Sequence, residues 1–369
     1  MYEFVKKLAS DILTNNDFKK QQNFLAESVY KALALNNQDE LAMIKALVSQ
    51  VHNKQIGNAK LYAKNIHGAT SKKSGSGVVF YSPINKDYIL KELGDTLIIS
   101  IASKDNQVLF QKIAFVQNKK DKTNKWTIDQ NQLYLLTNFP TFECKSGLFG
   151  NCERICKCGL NKPKDCYKRC TPDNIKYCHK CGITLANTFG SLGHYGLFKT
   201  SGDMFLANSR IIRATQTGKV AENRNIKYED LIKLTAQRDQ NGFGHLGCGH
   251  WRYHPECYEM FRYLYKDFGS LISMQELPFL TNRDISSNIY EFIKNWTQFN
   301  IGETVVANKK PLDNSLSWFA TQIANEVAQK DLYINYENQN NETNFKKFKV
   351  QSDEFFKNGG SATVTIYEI

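Results

Sequence analysis

Eight of the ten cysteines in this 369-residue chain fall between Cys144 and Cys181, and that crowding divides the sequence more sharply than any other feature. The run is Cys144, Cys152, Cys156, Cys158, Cys166, Cys170, Cys178 and Cys181, with His179 inside the last pair. The stretch is too polar, and too rich in Lys and Gly, to fold around an apolar core. Disulfides hold such segments in small secreted domains, whereas in a reducing compartment close cysteines favour a metal. Four thiolates in tetrahedral array suit Zn²⁺, whose filled d-shell imposes no other geometry. Cys178-His179-Lys180-Cys181-Gly182 has zinc-knuckle spacing, with the glycine that a tight turn needs. Cys152 with Cys156, or Cys156 with Cys158, supplies another half, and Cys166 with Cys170 a further pair. One or two structural ions are expected, a disulfide or iron–sulfur cluster being the alternatives. A second cluster, Cys248-x-His250-x₃-His254-x₂-Cys257 with His245 before it, can take a further zinc or be ordinary loop.

Around this module the chain reads as a mixed α/β protein of several parts. Residues 1–62 read as helical: Val5, Leu8 and Ile12, then Phe24, Leu25, Val29 and Leu33, then Leu41, Ile44, Leu47 and Val51 recur at spacings of three and four. Residues 63–142 carry β-rich runs. Val78 to Tyr81 is a short strand ended by Pro83, and Thr96 to Ser103 with Val108 to Gln117 forms a hairpin turning over Lys104-Asp105-Asn106-Gln107. Residues 143–183 are the zinc module. Residues 184–369 read as mixed and mainly helical, a recognition or dimerisation unit. They hold a strand over Met204–Ile212, helices near Tyr228, Cys257 and Ile289, a helix capped by Asp313, and a last strand from Ala362.

Charge narrows the partners. The formal net charge is +12, and a basic excess concentrates polyanions, of which phosphate backbones are the commonest. The zinc module contributes Arg154, Lys157, Lys162, Lys164, Lys168, Arg169, Lys176 and Lys180, interleaved with Phe149, Tyr167 and Tyr177. Lys120, Lys122 and Lys125 add a basic loop after the hairpin. All are candidate phosphate contacts, as a solvated zinc fold of the same composition would also offer. No stretch approaches the ~20 apolar residues of a membrane helix, and the first fifteen residues do not read as a secretory signal, so a cytoplasmic location is expected.

The chemistry-bearing segment is Glu92-Leu93-Gly94-Asp95, then the hairpin, then Gln117-Asn118-Lys119. A turn centred near Asn106 puts Asp95 opposite Val116 or Gln117. Alternation places Leu97, Ile99 and Ile101 in a core while Asp95, Gln117 and Lys119 emerge together at the open end of the sheet. A carboxylate with an amide or backbone oxygen can hold Mg²⁺ in octahedral oxygen coordination, and the metal polarises a phosphate and lowers the pKa of water. A lysine there can orient that water or offset charge on the phosphorane. Glu92 offers a second carboxylate.

This pattern resembles the PD-(D/E)XK, or restriction-endonuclease-like, nucleases, over about residues 60–142. Asp95 looks like the metal-binding aspartate and Gln117-Asn118-Lys119 like the E/Q-x-K element. Gly94 stands where the usual proline would be. Gln132-Leu133-Tyr134 and Phe139-Pro140 look like the segment that follows in a bacterial branch. Glu27 is a candidate for the acidic residue found before the first core strand. The resemblance implies a restriction-endonuclease-like core and a Mg²⁺-dependent endonuclease acting on DNA, in restriction or phage defence, as a homodimer because two strands call for two sites. Its rivals are RNA cleavage by the same site and a non-catalytic zinc-containing nucleic-acid binder. Glu143-Cys144-Lys145 with Asp129 upstream is a second, less attractive E-x-K frame.

Overall fold

The computed structural model describes residues 15–65, 77–123, 125–144, 183–188, 190–215, 223–231, 233, 285–335 and 361–368. The Asn15 side chain accepts the Asp17 and Phe18 amides and so starts α1 (Asn16–Leu35), which buries Phe18, Leu25, Val29 and Leu33 along one stripe. Asp39 caps α2 (Glu40–Val51) through the Ala42 amide. Phe24, expected on the buried stripe, instead points to solvent at 76% exposure. The helix expected over Val5–Ile12 lies outside the described residues.

After Val51 the chain turns to strand, where a helix was expected to residue 62. β1 (Lys54–Ile56) and β2 (Ala59–Asn65) form a hairpin around Gly57, whose φ of +55° suits a residue without a Cβ. The alternation is of faces: Ala59, Leu61 and Ala63 pack into one core cluster, while Lys60, Tyr62 and Lys64 take the opposite face, where Tyr62 is buried in the other cluster. β3 (Gly77–Ser82) and β4 (Asp87–Glu92) follow, antiparallel to each other.

β5 (Thr96–Lys104) and β6 (Gln107–Lys120) make the expected hairpin. Asp105 and Asn106 carry positive φ at both turn positions, +49° and +62°, the mirror-image turn whose twist matches the flanking strands. That turn sets Lys104 opposite Gln107 and, after a bulge at Ala102–Ser103, Thr96 opposite Val116. Next come β7 (Lys125–Asp129), α3 (Gln130–Asn138) and β8 (Phe142–Cys144). The C-terminal region supplies β9 (Gly193–Phe198), β10 (Met204–Asn208), α4 (Ser209–Ala214), β11 (Asn223–Lys227) and β12 (Ile285–Ser286). It continues with α5 (Ile289–Thr297), β13 (Glu303–Ala307), β14 (Lys310–Pro311), α6 (Asn314–Ala328) and β15 (Ser361–Glu368). The strand expected over Met204–Ile212 divides in two because Asn208 accepts the Arg210 amide and begins α4.

Among the described residues a mixed α/β architecture results, built on a ten-stranded sheet ordered β1-β2-β15-β5-β6-β9-β10-β12, with β13 attached to β6 and β14 to β13. β15 runs parallel to β5 and β9 parallel to β6; the other pairs are antiparallel. Strands from the C-terminal region therefore complete the sheet that the hairpin begins, while α4, α5 and α6 add its helices. β6 is shared: Gln111 to Ile113 pair with β13, and Phe115 to Lys120 with β9. One face of the hairpin, with Ile98, Ala114 and Val116, packs on α1, α2 and α5. The other, with Leu97, Ile99, Ile101 and Phe115, packs on α3, α6 and the small sheet β4-β3-β8. Cutting a fully buried isoleucine such as Ile99 to alanine here would cost about 2–5 kcal/mol. No helix among the described residues is long and apolar enough to cross a membrane.

Candidate active site

The register fixed by the Asp105-Asn106 turn brings Asp95 level with Gln117. The Asp95 amide donates to the Val116 carbonyl at 2.9 Å, and the Ser361 amide of β15 donates to the Asp95 carbonyl at 3.0 Å. Gln117 Nε2 donates to Asp95 Oδ2 in a short hydrogen bond, and the Asn118 amide donates to the same oxygen at 2.8 Å. Asn118 Nδ2 in turn holds Thr96 Oγ1 at 2.8 Å. The carboxylate is thus fastened to the end of β6 at a fixed position, half-buried at the rim of the sheet.

Three further charged groups reach this point. Glu40 stands in the first turn of α2, and its carboxylate lies 4.0 Å from Lys119 Nζ. Glu92 ends β4, and its carbonyl accepts a short hydrogen bond from Gln132 Nε2 on α3, which ties the approach to Asp95 onto that helix. Burial is the main reason that the Asp95 carboxyl is pushed up to about 8; the carboxylates of Glu40 and Glu92 push the same way, against Lys119 and the Asn118 amide. Burial also raises the Glu40 carboxyl, with Lys119 opposing. The side chains of Asp95 and Gln117 therefore meet directly, with Gln117 buried, while Lys119 and Glu92 act on Asp95 through their charges.

Glu40 is the member that sequence reasoning missed. Nothing in Asp39-Glu40 marks it, because an acidic pair opening a helix is the ordinary response to the helix dipole. Glu27, the acidic residue expected from the resemblance, goes elsewhere: it accepts a short hydrogen bond from the Tyr290 hydroxyl and pairs with Lys31 at 3.0 Å. Those two partners, Tyr290 first, hold its carboxyl below the usual range. Asp129, from the rival frame, caps α3 through the Gln132 amide and pairs closely with Lys91. Glu143 and Cys144 lie on β8 in the small sheet, opposite Val79 and Val78.

Of the basic loop, Lys119 and Lys120 complete β6, Lys120 Nζ donates to the Gln38 carbonyl at 3.1 Å, and Lys122 and Lys125 are exposed. The zinc module beyond Cys144, with its basic residues from Arg154 to Lys180, lies outside the described residues. So does the cluster of Cys248, His250, His254 and Cys257.

The donors at Asp95 are oxygens, a set that suits a hard cation. Among the described residues there is no group of three or more His, Cys, Asp or Glu side chains placed to cage a metal. Mg²⁺ does not ask for one, since it keeps several waters and binds through one or two carboxylates. Asp95 with Glu40 suits that requirement, and a divalent charge would relieve the repulsion between them. Gln117 turns its amide nitrogen toward Asp95, so ligation by Gln117 Oε1 calls for the amide to turn over. No protein-family model matches the chain, and neither a curated protein nor a solved structure matches it.

Proposed function

We propose that this chain is a Mg²⁺-dependent phosphodiesterase, and more specifically a DNA endonuclease of the PD-(D/E)XK type. The observation that carries the reading is the convergence of Asp95, Gln117, Lys119 and Glu40 at one end of the β5–β6 hairpin. Mg²⁺, when bound, supplies charge neutralisation and a lowered pKa for water. Asp95 and Glu40 hold it, with Gln117 as a neutral third donor and Glu92 adding negative charge behind them. Lys119 offsets charge that builds on the phosphate in the transition state. Lys122 and Lys125, exposed beside the site, suit contacts to backbone phosphates, as do the lysines and arginines of the zinc module. Zn²⁺ in that module has a structural part. A homodimer provides one site per DNA strand, and a restriction or phage-defence setting accounts for such an activity.

A binding-only reading has one observation behind it. Asp95 Oδ2 already accepts two hydrogen bonds from β6, a sufficient structural use for a carboxylate. Cleavage separates the two. Plasmid DNA incubated with Mg²⁺ should be cut by the parent chain, and at least ~100-fold more slowly by Asp95→Ala and Lys119→Ala. Matched DNA and RNA duplexes in the same assay decide the substrate. Salt-sensitive binding with no cutting of either would leave the binding-only reading standing.

A further inference from the structure

Next to Gln117 on the far side from Asp95 lies a residue that the site described so far does not use. Tyr195 of β9 is in direct register with Gln117, so Asp95, Gln117 and Tyr195 form a row across three neighbouring strands. All three sit on the face that packs against α3, because Tyr195 joins the same buried cluster as Leu97 and Phe115. The tyrosine is fully buried, yet its hydroxyl finds no hydrogen-bond partner among the described residues. Leaving such a group unpaired costs about 1–3 kcal/mol, and a phenylalanine would fill the same space without that cost. Burial first, then the charges of Asp129 and Asp95, hold the phenol well above its ordinary range. The hydroxyl is therefore an idle donor, shielded from bulk water, on the strand next to the one that holds the Asp95 carboxylate.

We propose that Tyr195 is a positioning residue of the Asp95 site, its hydroxyl donating a hydrogen bond to an oxygen in the hydration shell of a divalent cation held by Asp95. The inference rests on the metal-site reading above and adds to it a residue with no counterpart in the Asp95 and Gln117-Asn118-Lys119 pattern. No covalent step is involved: the proton stays on the phenol, which burial and the two carboxylates keep neutral. Outer-shell donors of this kind fix how a metal's ligands are oriented, and losing one typically lowers affinity about 10–100-fold.

The test is Mn²⁺ binding to the full chain, followed by calorimetry and by electron paramagnetic resonance, in the parent, Tyr195→Phe and Asp95→Asn proteins, with thermal unfolding measured without added divalent cation. The expected result is one Mn²⁺ site that Asp95→Asn removes and Tyr195→Phe weakens about tenfold. Tyr195→Phe should unfold at the same temperature as the parent or a higher one, since it loses an unpaired hydroxyl. Parental affinity in Tyr195→Phe, beside an Asp95-dependent site, would overturn the role of Tyr195 and leave the metal site intact. A lower unfolding temperature in Tyr195→Phe would also overturn it, because the hydroxyl would then be serving the fold. Failure of the underlying reading looks different: no Mn²⁺ site would depend on Asp95 in any of the proteins.

Discussion

Asp95→Asn should stabilise this protein when no divalent cation is present, and the gain should grow with pH. In the folded chain the Asp95 carboxyl is pushed up to about 8 from an ordinary 3.8. A raised carboxyl binds its proton more tightly folded than unfolded, so between those two values folding takes up a proton and stability falls as pH rises. Each unit of displacement corresponds to about 1.4 kcal/mol, which makes the penalty roughly 4 kcal/mol at neutral pH and near zero at about pH 4. Asp95 keeps some contact with solvent, and water entering there softens the penalty, so that figure is a ceiling. Asparagine keeps an acceptor for the Gln117 and Asn118 donors and carries no charge. For a chain of 369 residues each kcal/mol moves the unfolding temperature by about 1–1.5 °C, so a gain of up to roughly 5 °C is expected near pH 8 and almost none near pH 4. Thermal unfolding of both proteins across that range, without added divalent cation, makes the comparison. Unfolding temperatures that run parallel across the whole range would refute the reasoning, because they would show Asp95 ionising as it does in the unfolded chain.

Other outcomes follow from the same geometry. Glu40→Gln should weaken Mn²⁺ binding and slow cleavage at least tenfold, while Glu27→Gln should leave both within about twofold, since Glu27 bonds to Tyr290 and Lys31 away from the site. Gly196→Ala should destabilise the fold by about 1–3 kcal/mol, read by chemical denaturation, because the added Cβ would run into the Asn118 side chain that holds Thr96. Elemental analysis of the purified chain should find at least one zinc ion bound per chain, retained in Asp95→Asn, as the cysteine spacing suggests.

The hairpin and its register were legible because two β-rich runs flank Asp105-Asn106, and a two-residue turn leaves little freedom for the pairing. From that register the meeting of Asp95 with Gln117 follows almost by counting. The hairpin of β1 and β2 was not legible, since its few apolar residues, Ile56, Ala59, Leu61, Tyr62 and Ala63, merge with the helical pattern before them. Glu40 and Tyr195 were hidden for a different reason: each is brought near the end of the hairpin by tertiary packing from a distant segment, α2 in one case and the parallel strand β9, in register with Gln117, in the other. A lone Glu at a helix start and a lone Tyr in a buried strand give no local signal of such a meeting. The place of β15 between β2 and β5 was equally unreadable, because alternation identifies a strand without naming its neighbours.

Anomalous scattering from crystals grown or soaked in Mn²⁺ tests the metal site most directly. The expected map has a peak at about 2.0–2.6 Å from an Asp95 carboxylate oxygen, with Glu40 facing it. Bound manganese found only elsewhere, with Asp95 still engaged by Gln117 and Asn118 alone, would contradict the hydrolytic reading.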